Sequence, residues 1–193
     1  MQTQLNLSLD IQTIGFIGLG VMGAPMAGHL LKSGRRVLAY NRSAEKAIAW
    51  QQRFPEGEVV RSLSEMAQQC DVLALCIGND QDVRETVTAL LPHLKTGVVL
   101  IDHTTTSSDL AREMSALCAE RGVSFLDCPV SGGQAGAENG KLTVMVGGDE
   151  TVFHQVQPIM ALYSQYQRYF GAPGSGQGAK MVNQILVVSV LQG

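Results

Sequence analysis

The sequence is short of basic charge, of cysteine, of proline and of long apolar runs, and each shortage removes a class of function. Lys and Arg number 14 against 17 Asp and Glu, a formal charge of -3. That balance offers no footprint for nucleic acid or for an anionic membrane surface, so neither is an expected partner. The four cysteines, Cys70, Cys76, Cys118 and Cys128, form no C-x-x-C pair and stand near no histidine at zinc-finger spacing. Neither a disulfide framework nor a metal site is expected, and the thiols read as reduced, buried small hydrophobes. The longest apolar run, 185–191, is interrupted by Ser189 and falls well below the roughly 20 residues that cross a bilayer. Residues 1–12 are polar and lack a basic stretch followed by an apolar one, so no signal peptide is read and a cytoplasmic address is expected.

What is present is a globular composition: 45% hydrophobic and 16% charged residues, with 21 glycines against 6 prolines. Short β-branched runs alternate with helix-patterned runs from Ile14 onward, the pattern of βαβ units on a parallel sheet. The fold class is therefore α/β, a Rossmann-type doubly wound and mostly parallel sheet. Strands are predicted over 14–17, 36–40, 72–77, 98–101, 124–126 and 142–146, with a short one at 59–60. Helices are predicted over 21–32, 44–53, 63–69, 82–91, 109–120 and 150–162, the third opened by a capping box of Ser62 and Glu65. The stretch 177–191 follows a glycine-rich turn and is apolar all round, so a second domain or another subunit should cover it.

The first strand runs into Gly18-Leu19-Gly20-Val21-Met22-Gly23, which fits G-x-G-x-x-G between a strand and a helix. Gly18 permits the tight turn, Gly20 lets the backbone approach a pyrophosphate, and Gly23 allows the helix to pack on the strand, with the helix N-terminus facing the phosphates. The second strand ends in Asn41-Arg42-Ser43, where an NAD enzyme would place an acid on the ribose. Arg42 can pair with a 2'-phosphate, and Asn41 and Ser43 can donate hydrogen bonds to it, so NADP is preferred and NAD is the second choice. Asn41 and Ser43 also suit capping of the next helix.

Three clusters remain. Asp102-His103-Thr104-Thr105-Thr106 leaves a buried strand at its carboxyl end, where ligands of open α/β sheets bind. Asp127-Cys128-Pro129-Val130-Ser131-Gly132-Gly133 leaves another, and Ser131 with two glycine amides makes a carboxylate cradle. Lys180 lies one helical turn before Asn183 and Gln184 on a shared face. Taken singly, each suits a turn, a loop or a surface lysine as well as it suits a ligand. The histidines are scattered, and His103 alone sits near these clusters.

In their order, these motifs, with Gly136, Gly140, 142–148 and Gly174-Ser175-Gly176, resemble the 3-hydroxyacid dehydrogenase family, which includes 3-hydroxyisobutyrate dehydrogenase, tartronate semialdehyde reductase and 6-phosphogluconate dehydrogenase. The resemblance implies an oxidoreductase that moves a hydride between nicotinamide and a small 3-hydroxy acid or semialdehyde. It implies Lys180 as general acid/base, Ser131, Gly132, Gly133 and Asn183 on the substrate, and Thr104 and Thr105 beside the nicotinamide. Asn183-Gln184 stands where 6-phosphogluconate enzymes carry His-Asn, which favours a small substrate. The resemblance also implies a homo-oligomer and an all-helical domain of roughly a hundred further residues. On that view, residues 1–176 form the NADP-binding domain and 177–193 begin an interdomain helix. A non-catalytic NADP-binding module, or an inactive fragment that associates through its terminal helix, remains the alternative.

Overall fold

The computed structural model describes residues 11–191, with side chains through residue 186. Six strands form the parallel body of the sheet: β1 (Thr13–Ile17), β2 (Arg36–Tyr40), β3 (Glu58–Val59), β4 (Val72–Leu75), β5 (Val99–Asp102) and β6 (Ser124–Asp127). Their spatial order is β3-β2-β1-β4-β5-β6, which reverses direction between β1 and β4. The predicted α/β class and parallel sheet are thus present. Three more strands, β7 (Val130–Ser131), β8 (Leu142–Gly147) and β9 (Ser164–Gly171), extend the sheet beyond β6. β6 and β7 pair antiparallel with β8 in one continuous register, and β9 runs parallel to β8 along its other edge.

Helices α1 (Gly23–Leu30), α2 (Ala44–Arg53), α3 (Leu63–Ala67), α4 (Asp80–Leu90), α5 (Ser108–Ala119), α6 (Gly133–Glu138), α7 (Glu150–Met160) and α8 (Ser175–Leu191) connect or follow the strands. Helices on both faces bury the central strands on both sides, which explains their unbroken apolar runs. Val72 and Ala74 of β4 pack with Met26 and Trp50 on one face, while Leu73 and Leu75 pack with Val83 and Val87 on the other. Among the described residues, no helix is long and apolar enough to cross a membrane, and no His/Cys/Asp/Glu group could hold a metal ion.

Three elements lack a counterpart in the prediction. β9 reads Ser-Gln-Tyr-Gln-Arg-Tyr-Phe-Gly, an edge strand with little apolar alternation because most of its side chains are not buried. β7 and α6 are too short for a periodicity to register. The predicted first helix begins two residues late, at Gly23, because Val21 and Met22 form the turn before it. The last helix begins at Ser175 rather than 177. The α3 capping box is half as drawn: Ser62 Oγ accepts from Glu65 N at 3.1 Å, but the Glu65 carboxylate accepts from Arg61 N at 3.0 Å.

His103, which follows β5, is 2% exposed. Its Nδ1 lies 2.7 Å from the Cys128 carbonyl oxygen and its Nε2 lies 2.8 Å from the Tyr163 hydroxyl. A carbonyl only accepts, so Nδ1 carries the proton and Nε2 accepts from Tyr163 O–H. Burial holds the neutral ring, lowering its pKa to about 4. The histidine nearest the candidate site is therefore a strut that ties β5, the β6–β7 corner and the end of α7 together.

Tyr163→Phe leaves Nε2 buried without its donor and should lower stability by about 1–3 kcal/mol, read from a urea midpoint. A folded value near 4 below an ordinary 6.5 means that this neutral histidine contributes stability above about pH 6.5, lost as pH falls through 4. His103→Gln should flatten that part of the midpoint-against-pH curve. Asp102, which burial pushes up to about 7, acts in the opposite sense: its contribution is lost as pH rises through 7.

Candidate active site

A cavity of about 530 Å³ opens at the carboxyl ends of β1, β2 and β4, where the strand order reverses. It brings together Gly18, Gly20, Asn41, Arg42 and Ser43, with Ile77 on the opposite side. Gly18 has φ 98° and donates its N–H to the Tyr40 carbonyl at 2.9 Å. A Cβ there would run into the Cys76 carbonyl, and one on Gly23 would run into the Gly18 carbonyl. Only glycine permits this crossing of the β1–α1 turn over the end of β4. A Cβ on Gly20 would meet nothing within 4 Å. Among the described residues, the N–H groups of Gly20, Val21 and Met22 have no protein hydrogen-bond partner. These free amides at the start of α1 form a cradle suited to a phosphate, and the cavity is large enough for part of a dinucleotide.

The other predicted cofactor residues divide. Leu19 is buried, and its N–H donates to Asn41 Oδ1 at 2.9 Å, while Asn41 Nδ2 donates to the Ser43 carbonyl at 3.1 Å. Asn41 thus braces the glycine turn against the end of β2. Ser43 occupies the N-cap position of α2, but its hydroxyl makes no cap hydrogen bond. Arg42 extends from the same wall, its side chain 86% exposed, and pairs with Asp82 of α4 at 3.1 Å.

A second cluster lies where α8 meets the β6–β7 corner. Lys180 Nζ donates to the Val130 carbonyl at 2.7 Å, and Asn183 Nδ2 donates to Ser131 Oγ at 3.3 Å. Ser131, Lys180 and Asn183 are thereby brought together, with Gly132 and Gly133 exposed beside Ser131 at the start of α6. Partial burial lowers the Lys180 pKa, favouring the neutral amine that proton abstraction needs.

Lys180 does not line the 530 Å³ cavity. The two clusters are joined through Thr104, which is buried. Its hydroxyl accepts from Ile77 N–H at 3.1 Å, and its carbonyl accepts from Gln177 Nε2 at 2.7 Å. Thr104 is a strut between the cavity wall and α8, whereas Thr105 is exposed.

Two residues at this junction carry no role of their own in the sequence reading, although Asp127 opens one of its three clusters. Gln177 also accepts from Thr106 N at 3.1 Å through Oε1, so its amide grips the loop after β5 twice. The Asp127 carboxylate accepts from Gly174 N at 2.8 Å and Gln177 N at 2.9 Å, capping α8 from across the fold. Burial pushes this carboxyl above its usual range, and the N–H groups that it accepts pull it back. A Cβ on Gly176 would lie 2.5 Å from the Asp127 carbonyl and 2.6 Å from that of Met145, so α8 starts against the sheet backbone. The glycines ahead of Lys180 signal this close approach, but nothing local links them to Asp127.

Asp127→Ala strips the partner from two buried N–H groups and should lower stability by about 2–4 kcal/mol in urea unfolding. Asp127→Asn, which keeps one acceptor oxygen, should lose roughly half as much.

Residues 13–173 match the family described as the NAD binding domain of 6-phosphogluconate dehydrogenase. An uncharacterized oxidoreductase of Shewanella frigidimarina is 47% identical over 93% of this chain and 62% of its own length. A probable 3-hydroxyisobutyrate dehydrogenase-like mitochondrial protein of Arabidopsis thaliana is 39% identical over 97% of this chain and 58% of its own length. The solved structure of Mycobacterium tuberculosis 3-hydroxyisobutyrate dehydrogenase with L-serine superposes with a TM-score of 0.87 at 34% identity, over 92% of this chain and 60% of that one. The chain thus spans about three-fifths of the length of these relatives. With its 3-2-1-4-5-6 strand order, glycine turn and open amides in agreement with that match, the chain belongs to the family of the NAD binding domain of 6-phosphogluconate dehydrogenase, consistent with its resemblance to the 3-hydroxyacid dehydrogenases.

Proposed function

We propose that this chain is the nucleotide-binding part of an NADP-dependent oxidoreductase that moves a hydride between nicotinamide and a small 3-hydroxy acid or its semialdehyde. The observation that carries the reading is a connected frame: the cavity that holds the glycine turn is lined by Ile77, which is hydrogen-bonded through Thr104 to Gln177 on the helix that bears Lys180. A bound nicotinamide dinucleotide supplies the hydride acceptor or donor. Lys180 takes the proton of the substrate hydroxyl as the carbinol carbon becomes a carbonyl, and returns it when the reaction runs toward reduction. Ser131, Asn183 and the amides of Gly132 and Gly133 would hold the substrate carboxylate, while Thr104 and Thr105 would stand on the nicotinamide side of a bound cofactor. The Val130 carbonyl, 2.7 Å from Nζ, holds the amine next to Ser131.

The preference for NADP is supported by Arg42, which follows β2 on the wall of the cavity and can pair with a 2'-phosphate. NAD, whose ribose lacks that charge, is the weaker ligand. We assign residues 1–176 to the nucleotide domain and 177–193 to the start of an interdomain helix. Met181, Val182, Ile185 and Leu186 are each 58–61% exposed on α8, apolar surface that suits an all-helical second domain and a homo-oligomer. The four free thiols suit a reducing compartment, here the cytoplasm.

Arg42→Ala should weaken NADP at least tenfold, about 1.4 kcal/mol, with less than a twofold change for NAD, measured by fluorescence titration. Equal losses for both nucleotides would remove the phosphate role. In protein that turns over a hydroxy acid, Lys180→Ala should lower kcat by about 100- to 10,000-fold with NADP affinity kept. Nucleotide binding with no turnover by the unsubstituted protein would mark a binding module instead.

A further inference from the structure

The walls of the nucleotide cavity carry opposite charge. Arg42 and Lys46 stand on the side of β2 and α2, and Asp82 and Glu85 stand on α4 across the end of β1. The Arg42–Asp82 pair, 3.1 Å between Nη1 and Oδ1, spans the two walls. Its partners are unequal: the Arg42 side chain is 86% exposed and the Asp82 side chain 23%.

Asp82 is fixed by its local structure. Its N–H donates to the Asn79 N-cap at 3.1 Å, in the first turn of α4, where a carboxylate faces the positive end of the helix. Its Oδ2 lies over Gly78, close enough that a Cβ there would collide with it, and Gly78 also lines the cavity. A carboxylate packed over Gly78 therefore stands within one ion pair of the guanidinium that the proposed function assigns to the 2'-phosphate.

We propose that Asp82 is a second determinant of cofactor specificity, one that opposes Arg42 and narrows the preference for the phosphorylated ribose. The inference rests on the proposed nucleotide reading of this cavity. Two effects of Asp82 compete. It orients Arg42, but a pair in which one side chain is this exposed gains little from orientation. It also occupies Arg42 Nη1 and repels an incoming phosphate group that carries close to two negative charges, whereas a ribose hydroxyl carries none. Repulsion of the diphosphate is common to both dinucleotides and cancels in the comparison, whereas repulsion of the 2'-phosphate falls on NADP alone and outweighs orientation. The result is a cavity that takes both dinucleotides with a smaller gap between them than Arg42 alone would set.

Asp82→Asn keeps the size and a hydrogen-bond acceptor toward Arg42 while removing the charge. Titrated with NADP and NAD in parallel at low salt, it should bind NADP about fivefold more tightly, equivalent to about 1 kcal/mol, with less than a twofold change for NAD. The gain should shrink as ionic strength rises, because both groups are near solvent. Asp82→Ser, which retains first-turn hydrogen bonding, should shift NADP in the same direction and serves if the Asn variant does not fold. Unchanged or weaker NADP binding by the folded variants, with the unsubstituted chain binding NADP, overturns the role of Asp82 alone. Failure of the unsubstituted chain to bind either nucleotide overturns both this inference and the proposed function.

Discussion

A buried carboxylate and a helix start each carry a deficit that the other removes. The N–H groups that open α8 have no partner within the helix, and Asp127 has been drawn out of water at the carboxyl end of β6. Their hydrogen bonds from Gly174 and Gln177 fix the helix against the sheet to within the length of those bonds. Everything that α8 brings to the site follows from that docking. Gln177 then reaches the loop after β5, Lys180 the Val130 carbonyl one turn later, and Asn183 the Ser131 hydroxyl one turn beyond. The cap is electrostatic as well as geometric, since a carboxylate at a helix N-terminus meets its positive end.

The cavity at the glycine turn is held by a different constraint, steric rather than polar. Gly18 and Gly23 let three backbone segments cross at a distance that any side chain would forbid, and among the described residues the amides of Gly20, Val21 and Met22 beside that crossing have no protein partner. Several residues that look like ligand contacts serve the frame as well: Asn41 holds Leu19, and Thr104 holds both Ile77 and Gln177. A site built on such struts is pre-organised, because its groups need not find partners when a ligand arrives. The same reasoning places His103 and Tyr163 in the scaffold, since both polar ends of the pair are already used.

Much of this architecture is legible in the chain itself. The buried strands announce themselves as apolar runs because helices cover both of their faces, and the glycine turn is readable because strand, spacing and helix are contiguous. The edge strand β9 is silent for the opposite reason: half-exposed Gln, Arg and Tyr side chains leave no periodic trace. In the site, Lys180, Ser131 and Asn183 stand out by residue type and order. Asp127 and Gln177 do not, since an aspartate and a glutamine are common on surfaces and their partners lie 47 to 73 residues away.

What depends on neighbours along the chain can be read from residue order: the α/β alternation, the glycine-rich βα turn, the position of an arginine after β2 and the turn ahead of the last helix. Packing was needed to reveal which carboxylate caps α8, which one pairs with Arg42, and that Thr104 joins the cavity wall to the helix of the lysine. The reason is physical. Periodicity and backbone sterics act between adjacent residues, whereas hydrogen bonds and ion pairs act over about 3 Å between groups that meet only after the elements have packed.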